Sequence, residues 1–361
     1  MNYYAIMIAL LLLTAFVFGG THEKNKTYVI LGCLIMFSIY GLRNTFRIGG
    51  DSTNTYYGGF LAAGRFSWEE LMALEIRNKG YYVMNKLMFS LTGGDYQLYI
   101  SLLAAFIMVS LGYIVYEYSP NPLQSFLYYI GLLFFTFHFS ALKQSAAMGV
   151  LMLAFDQIFK KRPVLFVLLV ALAGTFHFPA LVFLPAYWLA KIHLGRGYLF
   201  FLALLLIVVY LFRNQIINFM MSLYEDENTN IDLTGTRFLK NKVLLMIGIA
   251  VIAVIFRVPV KEDHLYSALL GFMGIAIVLQ TFSAYSNIFE RLADYYFQFS
   301  VLLLPIAFDH NVTRKSLLSP RTLEALDGVA VCILCGFAIY RFLSYVTYNS
   351  TLHPYLFFFQ S

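Results

Sequence analysis

Where the chain leaves its second apolar run it reads Gly41-Leu42-Arg43-Asn44-Thr45-Phe46-Arg47-Ile48-Gly49-Gly50-Asp51, with Tyr56 shortly after. Two arginines, a glycine pair and an aspartate therefore share one connector. A later turn carries His138 and then Lys143-Gln144, another carries His177 followed by Pro179, and a fourth carries Glu290-Arg291 with Asp294 and Tyr295. Arg43, Arg47, Lys143 and Arg291 would together create a strongly positive potential, and guanidinium groups pair with phosphate oxygens in bidentate fashion. An anionic ligand is the expectation. Asp51 or His177 could take a proton from an attacking hydroxyl, each being a plausible general base at neutral pH. A diphosphate is a good leaving group once its charge is neutralised, so cations plus a base fit glycosyl transfer from a polyprenyl diphosphate sugar. Tyr and Phe offer stacking surfaces for sugar rings or isoprenoid, although membrane proteins also use aromatic belts.

The elements that must hold these residues are set by composition. Of the 361 residues, 60% are apolar, 18% aromatic and only 12% charged. Soluble domains are about a quarter charged, and so few charges could not cover the surface of a soluble protein of this size. Lipid is then the solvent. In hydrocarbon every backbone polar group must be paired internally, and continuous apolar runs without strand alternation give helices. The formal charge of +6 does not indicate nucleic acid, because the bases sit in short connectors and form no extended basic face. Cys33, Cys332 and Cys335 all lie inside apolar runs and are assigned no chemistry. No close acidic pair or His-x-x-x-His suggests a metal site, and Glu225-Asp226-Glu227 reads as a solvated loop, so no metal or cofactor is expected.

The fold class is all-α: a polytopic integral membrane protein of about twelve transmembrane helices. The apolar runs fall at 3–18, 28–42, 96–116, 123–137, 141–159, 164–175, 178–190, 198–212, 243–256, 266–283, 293–308 and 329–345. Several are shorter than the ~20 residues of a spanning helix and must extend, tilt or pack around a cavity. The first run has no basic residue before it and no small-residue cleavage site after it, so it reads as a helix and not a removable signal. With the N-terminus outside, the short connectors at Glu23-Lys24-Asn25-Lys26, Lys160-Lys161-Arg162, Lys191 with Arg196, Arg257 with Lys261, and Arg314-Lys315 with Arg321 face inward, as the positive-inside rule requires. The segment 80–91 is short, with Lys79, Asn85, Lys86 and Ser90 roughly on one face. It reads as an amphipathic helix on the outer surface. No internal repeat or linker divides the chain, so residues 1–361 form one multipass domain with outer loops near 43–95 and 213–240.

At these residues the sequence resembles the EpsG-like, Wzy-type polysaccharide polymerases. The resemblance runs in order through the arginine-rich turn with Gly50-Asp51 and Tyr56, then Gly80-Tyr81-Tyr82, Lys143-Gln144 with Ala146-Ala147, His177-Phe178-Pro179-Ala180 with Pro185, Arg291 with Tyr295, and His353-Pro354-Tyr355. It implies a multipass enzyme, similar to GT-C glycosyltransferases in architecture, that joins lipid-linked repeat units at the outer face of the bacterial cytoplasmic membrane. Its substrates would be undecaprenyl-diphosphate-linked oligosaccharides, membrane lipid would surround it, and a chain-length regulator would be a further partner. Arg43, Arg47, Tyr56, His138, Lys143, Gln144, Arg291 and Tyr295 would contact diphosphate or glycan, with Asp51 or His177 as base. The family usually has Arg-Gln where this chain has Lys143-Gln144, and lysine lacks the arginine fork. A Ser-Ala pair often follows the family's histidine, whereas Phe178-Pro179-Ala180 follows His177 here. The rival readings are a lipid-linked oligosaccharide flippase or transporter, whose site would lie near the midplane, and a membrane O-acyltransferase.

Overall fold

The computed structural model describes residues 2–22, 24–50, 52–223, 241–260, 262–309 and 315–360, without the side chains of 52–54 and 220–223. Asp51, the acidic run Glu225-Asp226-Glu227, Lys261 and Arg314 lie outside the described residues. Every regular element among those described is helical, and the only strand-like feature is an isolated bridge between Arg43 and Phe357. The chain falls into two compact units, Met1–Leu181 with Ala330–Ser361, and Val182–Val329.

In the first unit, α1 (Tyr3–Phe18) starts where the Asn2 side chain accepts from the Ala5 N–H and stops at Gly19, whose φ of +67° suits glycine. α2 (Lys26–Tyr40) is capped by Asn25, which accepts from Tyr28 N at 3.0 Å. A π-helical turn (Ser52–Tyr57) runs into α3 (Gly58–Arg65), followed by α4 (Trp68–Ala73), α5 (Lys79–Thr92) and α6 (Tyr96–Tyr118). Next come α7 (Pro122–Gly131), α8 (Phe134–Phe137), α9 (Leu142–Phe159) and α10 (Pro163–Phe176). The apolar run 123–137 is thus two helices, because Leu133 takes a positive φ of 70° and breaks the ladder.

A 3-10 turn (Phe178–Phe183) leads to α11 (Ala186–Leu189), then α12 (Tyr198–Leu211), α13 (Arg213–Leu223), α14 (Asn241–Phe256), α15 (His264–Thr281), α16 (Asn287–Phe297) and α17 (Ser300–Ala307). In this second unit the Tyr198 hydroxyl donates to Leu270 O at 2.8 Å and the Tyr296 hydroxyl to Val182 O at 2.7 Å. Arg257 pairs with Asp263 at 2.6 Å, closing the α14–α15 connector. α18 (Pro320–Tyr348) ends the helical series. In the first unit its second half lies over α7, where a Cβ at Gly131 would meet Ala338 Cβ at 2.4 Å and Arg341 donates to Gly131 O.

Among the described residues three helices are long and apolar enough to cross a membrane: Tyr96–Tyr118, the continuous stretch His264–Ala284, and Pro320–Tyr348. Tyr198–Leu211 with Arg213–Phe219, bent by 73°, makes a fourth if counted as one span. Five shorter apolar helices accompany them, at Tyr3–Phe18, Lys26–Tyr40, Pro163–Phe176, Phe178–Leu189 and Asn241–Phe256. A 16-residue helix such as α1 rises only about 24 Å, which is why the twelve apolar runs do not all have the length of a span. α18 hides 17% of its apolar window, and Phe16 of α1 is 89% exposed, so these helices present apolar surface that water would not tolerate. α5 is not among the apolar helices; it carries Asn85 and Tyr81 inward and leaves Leu87 and Leu91 exposed.

Candidate functional site

The arginine-rich turn is built around its own backbone. As the chain leaves α2, Gln97 Nε2 and Ser101 Oγ of α6 both donate to Gly41 O, at 2.9 and 2.7 Å. Arg43 then folds inward and is fully buried. Its Nε donates to Ile48 O at 3.3 Å, Nη1 to Tyr40 O at 2.6 Å and Nη2 to Phe139 O at 3.1 Å, with the guanidinium carbon 4.9 and 4.7 Å from the Tyr40 and Phe139 ring centres. The C-terminal segment closes the other side: Asn44 N donates to Leu356 O, Phe358 N to Leu42 O and Gly49 N to Thr351 O, at 2.8, 2.9 and 3.0 Å. Gly49 has φ +97°, and a Cβ there would lie 2.6 Å from Phe139 O. The guanidinium that the sequence assigns to a diphosphate is therefore engaged with three carbonyls of the protein itself, and it braces the turn. Arg47, four residues on, is exposed.

His138 is likewise interior. Its Nδ1 lies 2.8 Å from Ser145 Oγ, its ring stacks near Tyr40 and Tyr129, and its carbonyl accepts from the Tyr40 hydroxyl at 2.9 Å. Burial pushes the imidazole down to about 3, so it is neutral and buttresses the turn that Arg43 also holds.

Lys143, at the start of α9, faces a different environment. Half-buried, it sits 5.5 and 5.0 Å from the Tyr81 and Tyr82 ring centres and 3.5 Å from the Tyr82 hydroxyl. Tyr56 meets Tyr81 edge to face at 6.0 Å. Behind them the Tyr99 hydroxyl donates to Asn85 Oδ1 at 2.9 Å, and Phe60 stacks on Tyr99 at 5.0 Å. The beginning of α5 is pressed against the end of α10: the Asn78 side chain accepts from Phe178 N at 2.7 Å, next to the largely buried His177. Gln144 is buried in α9. So Tyr56, Lys143 and the backbone at His177 gather around the first turn of α5. Tyr81 and Tyr82, which the sequence marks only as the opening of an amphipathic segment, are the residues that make the link.

Gly80 permits that approach, since a Cβ there would lie 2.1 Å from Thr175 Oγ1 and 2.5 Å from Thr175 Cβ. Gly80→Ala is expected to destabilise the protein by about 1–3 kcal/mol, as overpacking does. Thermal unfolding of the single variant and of Gly80→Ala with Thr175→Gly checks this: the second change should recover part of the loss, and equal midpoints for Gly80→Ala and wild type would refute the contact.

In the second unit, Arg291 stands exposed on α16 and Tyr295 is fully buried. Lys242, which no motif marks in the sequence, binds the two acidic residues on either side of Arg291 along that helix: its Nζ lies 2.9 Å from Glu290 Oε1 and 2.7 Å from Asp294 Oδ1. Glu290 and Asp294 are one turn apart, so a single cation can span them and pin α14 to α16.

Residues 26–357 match the family model described as the EpsG family. The chain belongs to the EpsG family. This is the family of Wzy-type, exopolysaccharide polymerase-like proteins, and its membership agrees with the apolar helices in marking a membrane protein. No curated protein and no solved structure matches the chain. The Lys143 cluster places a cation on two tyrosine faces, with the Tyr82 hydroxyl beside it. Among the described residues no group of three His, Cys, Asp or Glu side chains is placed to hold a metal ion.

Proposed function

We propose that this chain is a membrane glycosyltransferase that lengthens a polysaccharide. It transfers the growing glycan from undecaprenyl diphosphate onto the terminal sugar hydroxyl of a second lipid-linked repeat unit, at the outer face of the bacterial cytoplasmic membrane. The acceptor hydroxyl gives its proton to Asp51 or His177, its oxygen bonds to the anomeric carbon, and the bond from that carbon to the diphosphate breaks. The diphosphate leaves with the electron pair, its charge met by Lys143 and Arg47. Arg291 is a further proposed contact for the diphosphate. Arg43 and His138 act through the turn they brace, and Tyr56, Tyr81 and Tyr82 offer faces to sugar rings. About twelve apolar segments, some short and tilted, embed the chain, and a chain-length regulator is a proposed partner.

The observation that carries this reading is the ammonium of Lys143 against two tyrosines at the first turn of α5, within a chain of a polymerase-like family. Reconstituted protein given two lipid-linked repeat units with different labels should release undecaprenyl diphosphate and yield products bearing both labels. Single units that change leaflet without lengthening would identify a flippase instead.

A further inference from the structure

A groove of about 450 Å³ opens between α2 and α6, within the range of sites that hold small ligands. Val29, Cys33, Phe37, Met108 and Gly112 are among the residues that make its walls apolar. The two helices come close there: a Cβ at Gly112 would lie 2.7 Å from Cys33 Sγ, and the Cys33 thiol donates to Met108 O at 3.3 Å. Lys26, Tyr113 and Tyr116 line one end of the groove, mainly through the apolar parts of their side chains. Lys160 adds a second ammonium at that end, its Nζ 2.7 Å from the Tyr113 hydroxyl and 2.8 Å from Asp156 Oδ2. The connectors that meet this end carry Lys24, Lys26, Lys160, Lys161 and Arg162 in the sequence, more cations than the neighbouring Glu117 and Asp156 can balance. The opposite end stops at Phe37, whose ring occupies the space a Cβ on Gly41 would need.

An apolar channel with cations at one mouth fits a single-headed amphiphile whose head is an anion. Length selects among such molecules. From Lys26 to Phe37 α2 rises about 17 Å, close to the ~15 Å of one leaflet's hydrocarbon layer, so the channel suits an acyl chain of one leaflet and is too short for a long isoprenoid. We propose that the groove binds one acyl chain of an anionic glycerophospholipid, with its headgroup phosphate between Lys26 and Lys160. The site is separate from the Lys143 cluster, and its occupancy does not depend on the polymerase reading.

The test is native mass spectrometry of the full-length protein offered equal amounts of phosphatidylglycerol and phosphatidylcholine with identical acyl chains, with no glycan substrate present. Phosphatidylglycerol should be retained about tenfold better, and Lys26→Gln, a change at an exposed side chain, should lower that preference about fivefold. Ala105→Trp, which fills the groove from its wall, should abolish retention in protein whose thermal midpoint shows it folded. Equal retention of the two lipids, an unchanged preference in Lys26→Gln, or displacement of phosphatidylglycerol by an equimolar polyprenyl phosphate would each overturn the proposal.

Discussion

Arg43→Ala is expected to leave little folded protein in the membrane. The substitution strips a charged donor from three buried carbonyls, those of Tyr40, Ile48 and Phe139, and empties the space beside two aromatic rings. Each buried acceptor left without a donor costs about 1–3 kcal/mol, so the sum is comparable to the whole stability of many domains. The same guanidinium sits beneath the bridge to Phe357, so the C-terminal segment should detach as the turn opens. Arg43→Lys should fall between the two, because one ammonium cannot replace a planar fork reaching three carbonyls. Thermal unfolding of purified protein, together with protease access to the segment after Tyr348, reads the effect. A midpoint drop on the order of 10 °C is expected for Arg43→Ala. A variant with the wild-type midpoint and no polymer would instead return Arg43 to direct contact with substrate.

That result bears on what the sequence could disclose. Unbroken apolar runs place α1 at Tyr3–Phe18 and bring α6, α9 and α14 within two residues of their observed ends, because a helix in lipid is specified by such a run. The π-helical turn at Ser52–Tyr57 and the short helices α3 and α4 are not legible in that way, since none of them belongs to a long unbroken apolar run. The break at Leu133 is equally silent: leucine carries no signal for a positive φ, and only the surrounding fold holds it there. Arg43 and Arg47 look alike as letters four positions apart. Whether an arginine snorkels outward or turns under its own loop depends on which carbonyls lack donors, and one of those, Phe139 O, belongs to a residue 96 positions away. Lys242 is silent in the sequence for a similar reason, as its partners Glu290 and Asp294 stand 48 and 52 residues on. The family resemblance was recoverable because it rests on the order of short motifs along the chain, and order survives when their geometry is unknown.

Lys143 carries the sharpest functional expectation. Lys143→Ala should lower the rate of glycan transfer by about 10²-fold, the scale on which removal of one stabilising donor from a developing charge is felt. Stability should change little, because the side chain is half-buried and its contact to the Tyr82 hydroxyl is long at 3.5 Å. Those two outcomes separate a ligand contact from a brace, and they are the reverse of what Arg43→Ala should give. Lys143→Arg sharpens the distinction. A guanidinium can stack on the Tyr81 and Tyr82 faces and present two parallel donors to a diphosphate, so this variant should retain transfer at or above the wild-type rate. Tyr82→Phe removes the hydroxyl and keeps the ring, and should therefore slow transfer far less than Lys143→Ala. If Lys143→Ala polymerises at the wild-type rate, the ammonium is merely packing against the tyrosines. The diphosphate would then be held by other cations, with exposed Arg47 the next to replace in the first unit.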